Sequence, residues 1–163
     1  MTSSDEYFMR MAIKCAEESI ARGEPGFGAI IVDSVLNKVV SRGYNHASNN
    51  PLFHGEVDAI NTLSAEFQKD GKNVYECSST LVLYTTAEPC PMCAAAIVWT
   101  GIPRVVYGTS IQTLMKYNWS QMNISCHEIS KKSWLEQDIT GGILEMECNK
   151  LYESGPPWKL PSK

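Results

Sequence analysis

"STLVLYTTAEPCPMCAAAIVWTGIPRVVYG", Ser79 to Gly108, decides how this chain is read. Its first part, Ser79–Thr86, is a continuous apolar run, the pattern of a strand buried on both faces. An alanine-rich helix is expected next, at about Cys90–Thr100, stopped by Gly101 and Pro103. Arg104–Gly108 is a further strand. A strand–helix–strand unit of this kind favours parallel pairing, with the helix crossing over one face of the sheet. The helix opens on Cys90 and Cys93, separated by Pro91 and Met92. C-x-x-C by itself serves a structural zinc clip, a redox couple, a disulfide or half of a catalytic metal site.

Working outward, the chain starts with a helix. Ser3 and Glu6 offer a capping box, and Phe8, Met11, Ala12, Cys15 and Ala16 recur at helical spacing. "RGEPG", Arg22–Gly26, breaks it. Phe27–Asp33 and "VVSRGYN" then read as an antiparallel hairpin turned by "SVLNK". A second helix runs from about His54 to Phe67. Beyond Gly108 the signals weaken: "SCHEIS", Ser125–Ser130, is read as a fifth strand and Gly141–Tyr152 as a late helix. This order predicts an α/β fold, a three-layer α-β-α sandwich around a central mixed five-stranded sheet. One domain is expected over residues 1–163.

The 163 residues suffice for a substantial core, and 44% hydrophobic with 20% charged residues is ordinary for a globular domain. Lys and Arg total 14 against 18 Asp and Glu, a formal net charge of −4. Such a chain has no built-in long-range attraction for phosphate backbones, so no nucleic-acid partner is expected. "MTSSDEYFMR" lacks the basic and apolar regions of a secretory signal, and no apolar run approaches the roughly 18 residues of a membrane span. A cytoplasmic location with no membrane partner is the expectation. In a reducing compartment the six cysteines argue little for disulfides. Cys15, Cys126 and Cys148 are expected as core fillers, and Cys77 without a function.

Two expected helix starts carry the chemistry, "HGE" at His54-Gly55-Glu56 and "CPMC". A thiolate at a helix N-terminus is stabilised by unpaired N–H groups and the macrodipole. Cys90 and Cys93 lie on neighbouring turns of one face, within reach of one ion, and His54 is the natural third ligand. Three protein ligands leave a fourth position for water, the pattern of a catalytic zinc site. Glu56 then stands two residues from a ligand, placed to take a proton from that water. A closed structural site needs a fourth ligand, and neither His46 nor His127 shows paired ligand spacing. A redox pair is not excluded by Pro91-Met92.

His-x-Glu followed by Pro-Cys-x-x-Cys is the signature of zinc nucleobase deaminases. "HGE" and "PCPMC" fill every position of it, Pro89 included. The chain resembles the cytidine deaminase superfamily over about residues 5–110, and most of all the branch of guanine deaminases, fungal-type cytosine deaminases and tRNA wobble adenosine deaminases. "FGAIIVD" is similar to that family's first hairpin strand, "GYNHA" to the segment carrying its substrate-binding asparagine, and "GIPRVVYG" to the strand after its cysteine helix. The resemblance implies one zinc ion per chain on His54, Cys90 and Cys93, with a water or hydroxide as fourth ligand. It implies Glu56 as the catalytic proton shuttle. Asn45 and Phe27 would contact the substrate ring, and the backbone about Gly55 and Glu88 would complete the frame. A strand-end turn residue is the lesser alternative for Asn45, whereas Phe27 reads equally as plain core. Trp158 is expected either to close over the pocket, within a C-terminal helix and tail at 141–163, or to be an exposed or interface residue. Trp99 is expected in the core or at an oligomer interface. A homodimer is implied.

The activity this implies is hydrolytic: an amino-substituted heterocycle and water become the oxo form and ammonia. "HGE" leans towards cytosine deaminases, "FGAIIV" and "EPCPMC" towards the guanine branch. "ISKKSW" holds the only adjacent lysine pair, so a small heterocyclic amine of guanine or cytosine type is the expected substrate. A tRNA wobble adenosine deaminase is the alternative, and a non-catalytic zinc-stabilised binding module is the alternative of another class.

Overall fold

A computed structural model of the chain describes residues 3–157. Trp158 and the end of the tail assigned to it lie outside the described residues.

The chain begins with helix α1, Ser3–Ala21. Strands β1, Gly28–Asp33, and β2, Lys38–Tyr44, form the expected antiparallel hairpin. Asp33 shapes its turn by accepting the amides of Val35 and Leu36 at 2.9 and 3.0 Å. Helix α2 spans Gly55–Lys69, and a 3-10 turn at Tyr75–Thr80 leads into strand β3, Leu81–Ala87. Helix α3, Pro91–Thr100, ends on Gly101 in the left-handed conformation, φ 76°, and strand β4 follows at Arg104–Thr109. Two short helices, α4 at Ile111–Lys116 and α5 at Cys126–Lys131, precede strand β5, Asp138–Thr140, and helix α6, Glu145–Asn149.

The strands make one mixed sheet in the order β2-β1-β3-β4-β5. β1 is antiparallel to β2 and β3, whereas β3–β4 and β4–β5 are parallel. Alternation along the strands splits the core in two. Ile30, Val32, Val82, Tyr84 and Val106 meet Phe8, Met9, Ala12 and Cys15 of α1. Ala29, Ile31, Leu81, Leu83 and Val105 meet Ala59, Ile60 and Leu63 of α2 and Ile97 of α3. Both faces of the sheet are thus covered, which is why the central strands read as unbroken apolar runs.

Two expectations after Gly108 are corrected. "SCHEIS" is helical: Ser125 caps α5 in a capping box with Glu128. The fifth strand is Asp138–Thr140, added parallel beside β4. The late helix shrinks to α6 because Gly142 and Leu144 hold positive φ, 79° and 51°, which no right-handed helix accommodates. Cys15, Cys126 and Cys148 are buried, as expected. Trp99 is 70% exposed, so within this chain it is not core; its ring meets Trp134 edge-on at 4.4 Å between centroids.

Candidate metal and active site

The site lies at the carboxyl end of β3, where α2 and α3 begin. His54 and Cys90 are the residues immediately before those helices, both in extended conformation, φ/ψ −73/162° and −62/165°. Pro91 starts α3, where its missing N–H costs nothing. Glycine brings α2 down onto the sheet. A Cβ on Gly43 of β2 would stand 1.9 Å from the Gly55 carbonyl oxygen, so the first turn of α2 rests directly on the β2 backbone. Gly55 itself leaves only 3.0 Å between a Cβ and the carbonyl oxygen of Phe27.

These contacts bring together three donors from distant parts of the sequence. His54 Nδ1 lies 3.7 Å from Cys90 Sγ and 3.6 Å from Cys93 Sγ, and all three donor atoms fall within 4.8 Å of one another. An ion with Zn–S of about 2.3 Å and Zn–N of about 2.0–2.1 Å in tetrahedral geometry separates N from S by about 3.6 Å. The donor set therefore fits zinc in both chemistry and spacing. Cys90 is held down to about 4 by hydrogen bonding with Cys93 and His54. Cys93 is correspondingly pushed up, first by sharing that hydrogen bond with Cys90 and then by burial. His54 is raised by its hydrogen bond to Cys90. Two thiols and an imidazole poised around one charge are a ready cation site.

Glu56 lies in the first turn of α2 and is buried. Its Oε1 accepts the Thr85 hydroxyl at 3.2 Å. Burial raises its carboxyl above the usual range. A buried carboxyl whose hold on its proton is strengthened in this way is suited to proton transfer. Thr85 escaped notice in the sequence, although a polar residue in phase with Leu81 and Leu83 on an otherwise apolar strand face was a signal.

The remaining candidates divide. Asn45, one residue past β2, is buried; its Oδ1 accepts Ala47 N–H at 2.8 Å and its own N–H donates to Ser19 Oγ at 3.1 Å. The side chain thus makes the turn that the sequence allowed for. Gly55, between His54 and Glu56, is the buried first residue of α2. Phe27 is half-buried and stacks on Tyr152, 4.8 Å between centroids and 30° between planes. Glu88 has a role the sequence did not disclose: its buried carboxylate accepts Ile111 N–H at 2.9 Å and Cys126 N–H at 3.1 Å, fastening the starts of α4 and α5 beside the cysteine helix. Its own N–H donates to Thr109 O at 2.7 Å.

Residues 2–109 match the family model for the cytidine and deoxycytidylate deaminase zinc-binding region. The tRNA-specific adenosine deaminase of Buchnera aphidicola subsp. Baizongia pistaciae is 34% identical over 158 residues, covering 94% of this chain and 89% of that protein. A solved structure from studies of A-to-I editing by tRNA:A34 deaminases at the wobble position of transfer RNA superposes with a TM-score of 0.72 at 26% identity, covering 89% of this chain and 98% of that one. The guanine deaminase of Bacillus subtilis superposes with a TM-score of 0.61 at 31% identity, covering 74% of this chain and 73% of that one.

Proposed function

The chain belongs to the zinc-binding family of cytidine and deoxycytidylate deaminases and is a zinc-dependent aminohydrolase; from that premise we propose that its substrate is adenosine within RNA, a transfer RNA first of all. One observation carries this reading. Likeness to a tRNA-specific adenosine deaminase runs through 94% of this chain and 89% of the relative, well past residue 109 where the family model stops. The expectation of a free base rests on the whole-chain charge of −4 and on a single adjacent lysine pair in the sequence. Phosphate recognition depends on where the basic groups sit, not on their sum.

Zinc, when held by His54, Cys90 and Cys93, supplies the activation of a water by lowering its pKa towards about 7. Glu56 moves the protons. It takes one from the attacking water, gives it to the ring nitrogen next to the reacting carbon, and delivers the second to the amine, which departs as ammonia. The Thr85 hydroxyl holds the carboxylate in place through this cycle. Asn45, its oxygen fixed by Ala47, offers its amide nitrogen to the ring. Phe27 forms one wall of the base pocket. α3 has no charged residue, and Met92, Ala95 and Trp99 leave its outer face partly uncovered. An apolar helix of this kind needs cover on every side, and a second copy of the chain is the cover proposed.

A second reading, a guanine-type free base, is favoured by the 31% identity to the Bacillus subtilis guanine deaminase. Ammonia release from zinc-loaded protein decides between them, measured with an anticodon stem-loop RNA, full tRNA, adenosine, adenine, guanine and cytosine. Turnover of the RNAs with inosine as product is the expected result. Turnover of guanine with the RNAs untouched would establish the second reading in its place.

A further inference from the structure

We infer that Tyr152 and Trp119, from the C-terminal third of the chain, are positioning residues that act on the substrate base through Phe27. The inference rests on Phe27 being a pocket wall, as proposed above. Phe27 stands directly before β1, with its carbonyl oxygen against Gly55, between His54 and Glu56 in sequence. Its ring is fixed from two directions. Tyr152 stacks on one face at 4.8 Å, and Trp119 meets it edge-on at 5.1 Å and 90°. Trp119 and Tyr152 are themselves perpendicular, 5.9 Å apart.

The hydrogen bonds of this trio are directed at the same place. The Tyr152 hydroxyl donates to Thr86 Oγ1 at 2.6 Å. Thr86 Oγ1 also accepts the Gly28 N–H at 3.1 Å and lies 3.3 Å from the Gly28 carbonyl oxygen. Gly28 is the next residue after Phe27, so Tyr152 steadies both the ring and the backbone of Phe27. Trp119 Nε1 donates to the Tyr152 carbonyl at 2.9 Å, which secures Tyr152 in turn. Ala87 and Leu114 complete the packing, and Ala87 is three residues before Cys90. Tyr152 is fully buried and Trp119 nearly so. A ring backed in this way keeps one orientation, and a wall of fixed orientation discriminates between rings of different width. Neither Trp119 nor Tyr152 falls within the segment that the family model matches, so the wall's stiffness is contributed by a part of the chain outside it.

The test uses full-length zinc-loaded protein and four variants: Tyr152→Leu, Tyr152→Phe, Phe27→Ala and the double variant Phe27→Ala/Tyr152→Leu. Zinc content and melting temperature confirm that each is folded. Two quantities are read, steady-state kinetics on whichever substrate the wild type turns over and equilibrium affinity for adenine and guanine by calorimetry. Loss of an aromatic contact predicts that Tyr152→Leu raises KM and weakens base binding about 3- to 10-fold, with a smaller change in kcat. Tyr152→Phe, which keeps the stacked ring, restores most of this. In the Phe27→Ala background Tyr152→Leu adds nothing further to the weakening, because the residue through which it acts is gone. Equal weakening in both backgrounds, or a change within twofold in the wild-type background, would overturn the inference. So would a wild type that binds no purine. Purine binding without turnover of RNA sinks the proposed substrate alone.

Discussion

Gly43 is the position at which one methyl group should do most harm to the metal site without touching it. It pairs with Ala29 in the β-hairpin, beneath the first turn of α2. A Cβ there would stand 1.9 Å from the Gly55 carbonyl oxygen, 2.5 Å from Ala59 N and 2.8 Å from Ala59 Cβ, where ordinary contact begins at 3.4 Å. All three obstacles belong to a helix, and two are backbone, so no side chain can rotate away. Relief requires α2 and β2 to part by on the order of 1 Å, in a core packed too tightly to absorb it. Overpacking of this kind costs about 1–3 kcal/mol, and each kcal/mol lowers the melting temperature of a domain this size by about 2–4 °C. His54 and Glu56 flank Gly55 and move with it, and a displacement of about 1 Å in a reacting assembly costs on the order of 100-fold in rate. Gly43→Ala is therefore expected to melt several degrees early, to hold less than one zinc per chain and to lose about 100-fold in kcat/KM. Gly55→Ala is the control. Its Cβ meets Phe27 O at 3.0 Å, which a shift of a few tenths of an ångström relieves, so its stability should stay within about 1 kcal/mol of wild type. Calorimetry, metal analysis and ammonia release measure all three quantities. Indistinguishable behaviour of Gly43→Ala and Gly55→Ala would refute the reasoning from close approach.

Three further outcomes follow from the same geometry. Arg104 binds the buried Asp5 through two nitrogens, at 3.0 and 2.9 Å, while the Tyr84 hydroxyl donates to the same carboxylate at 2.8 Å. Arg104→Met removes the cation from that buried carboxylate and should cost about 3 kcal/mol by chemical denaturation; a loss under about 1 kcal/mol would mean the pair is not structural. Chelating the zinc should expose Cys90 to iodoacetamide. Since its thiol is depressed to about 4 and the thiolate is the reactive form, labelling should stay flat from pH 8 down to pH 5. Cys148, buried and pushed up to about 12, should remain unlabelled in the folded protein. A Cys90 rate that rises tenfold per pH unit across that range would contradict this assignment. For the uncovered face of α3, light scattering of wild type should give twice the chain mass, and Trp99→Glu should give the monomer; a wild-type monomer would remove the proposed second copy.

The first two thirds of the fold were legible because each element announces itself locally. Val82 and Leu83 face opposite layers, so the strand between them could only be a buried run, and Gly101 marks the end of α3 by needing a left-handed residue there. The three metal donors were legible because each sits at a helix start with a recognisable residue pattern. After Gly108 the same rules were present but short. Ser125 and Glu128 spell a capping box, yet a six-residue helix behind it offers less than two turns of periodicity, and the isoleucine and cysteine of "SCHEIS" mimic a strand. Three residues of β5 are too few to show alternation; they join the sheet because β4 presents a parallel edge. Tyr152 and Trp119 could not be read at all. Their meeting with Phe27 depends on how the C-terminal segment folds back over the sheet, and no spacing in the chain encodes it.

The central claim is that this site performs zinc-dependent deamination with Glu56 as its proton carrier. Zinc per chain and ammonia release, measured side by side for wild type and Glu56→Gln on the RNA and free-base panel, test it most directly. The amide keeps the size of the side chain but cannot cycle a proton, a contribution of about 10²–10⁴-fold. Wild type should hold one zinc and release ammonia, and Glu56→Gln should hold one zinc and release almost none. Undiminished ammonia release from a zinc-replete Glu56→Gln protein would contradict the account.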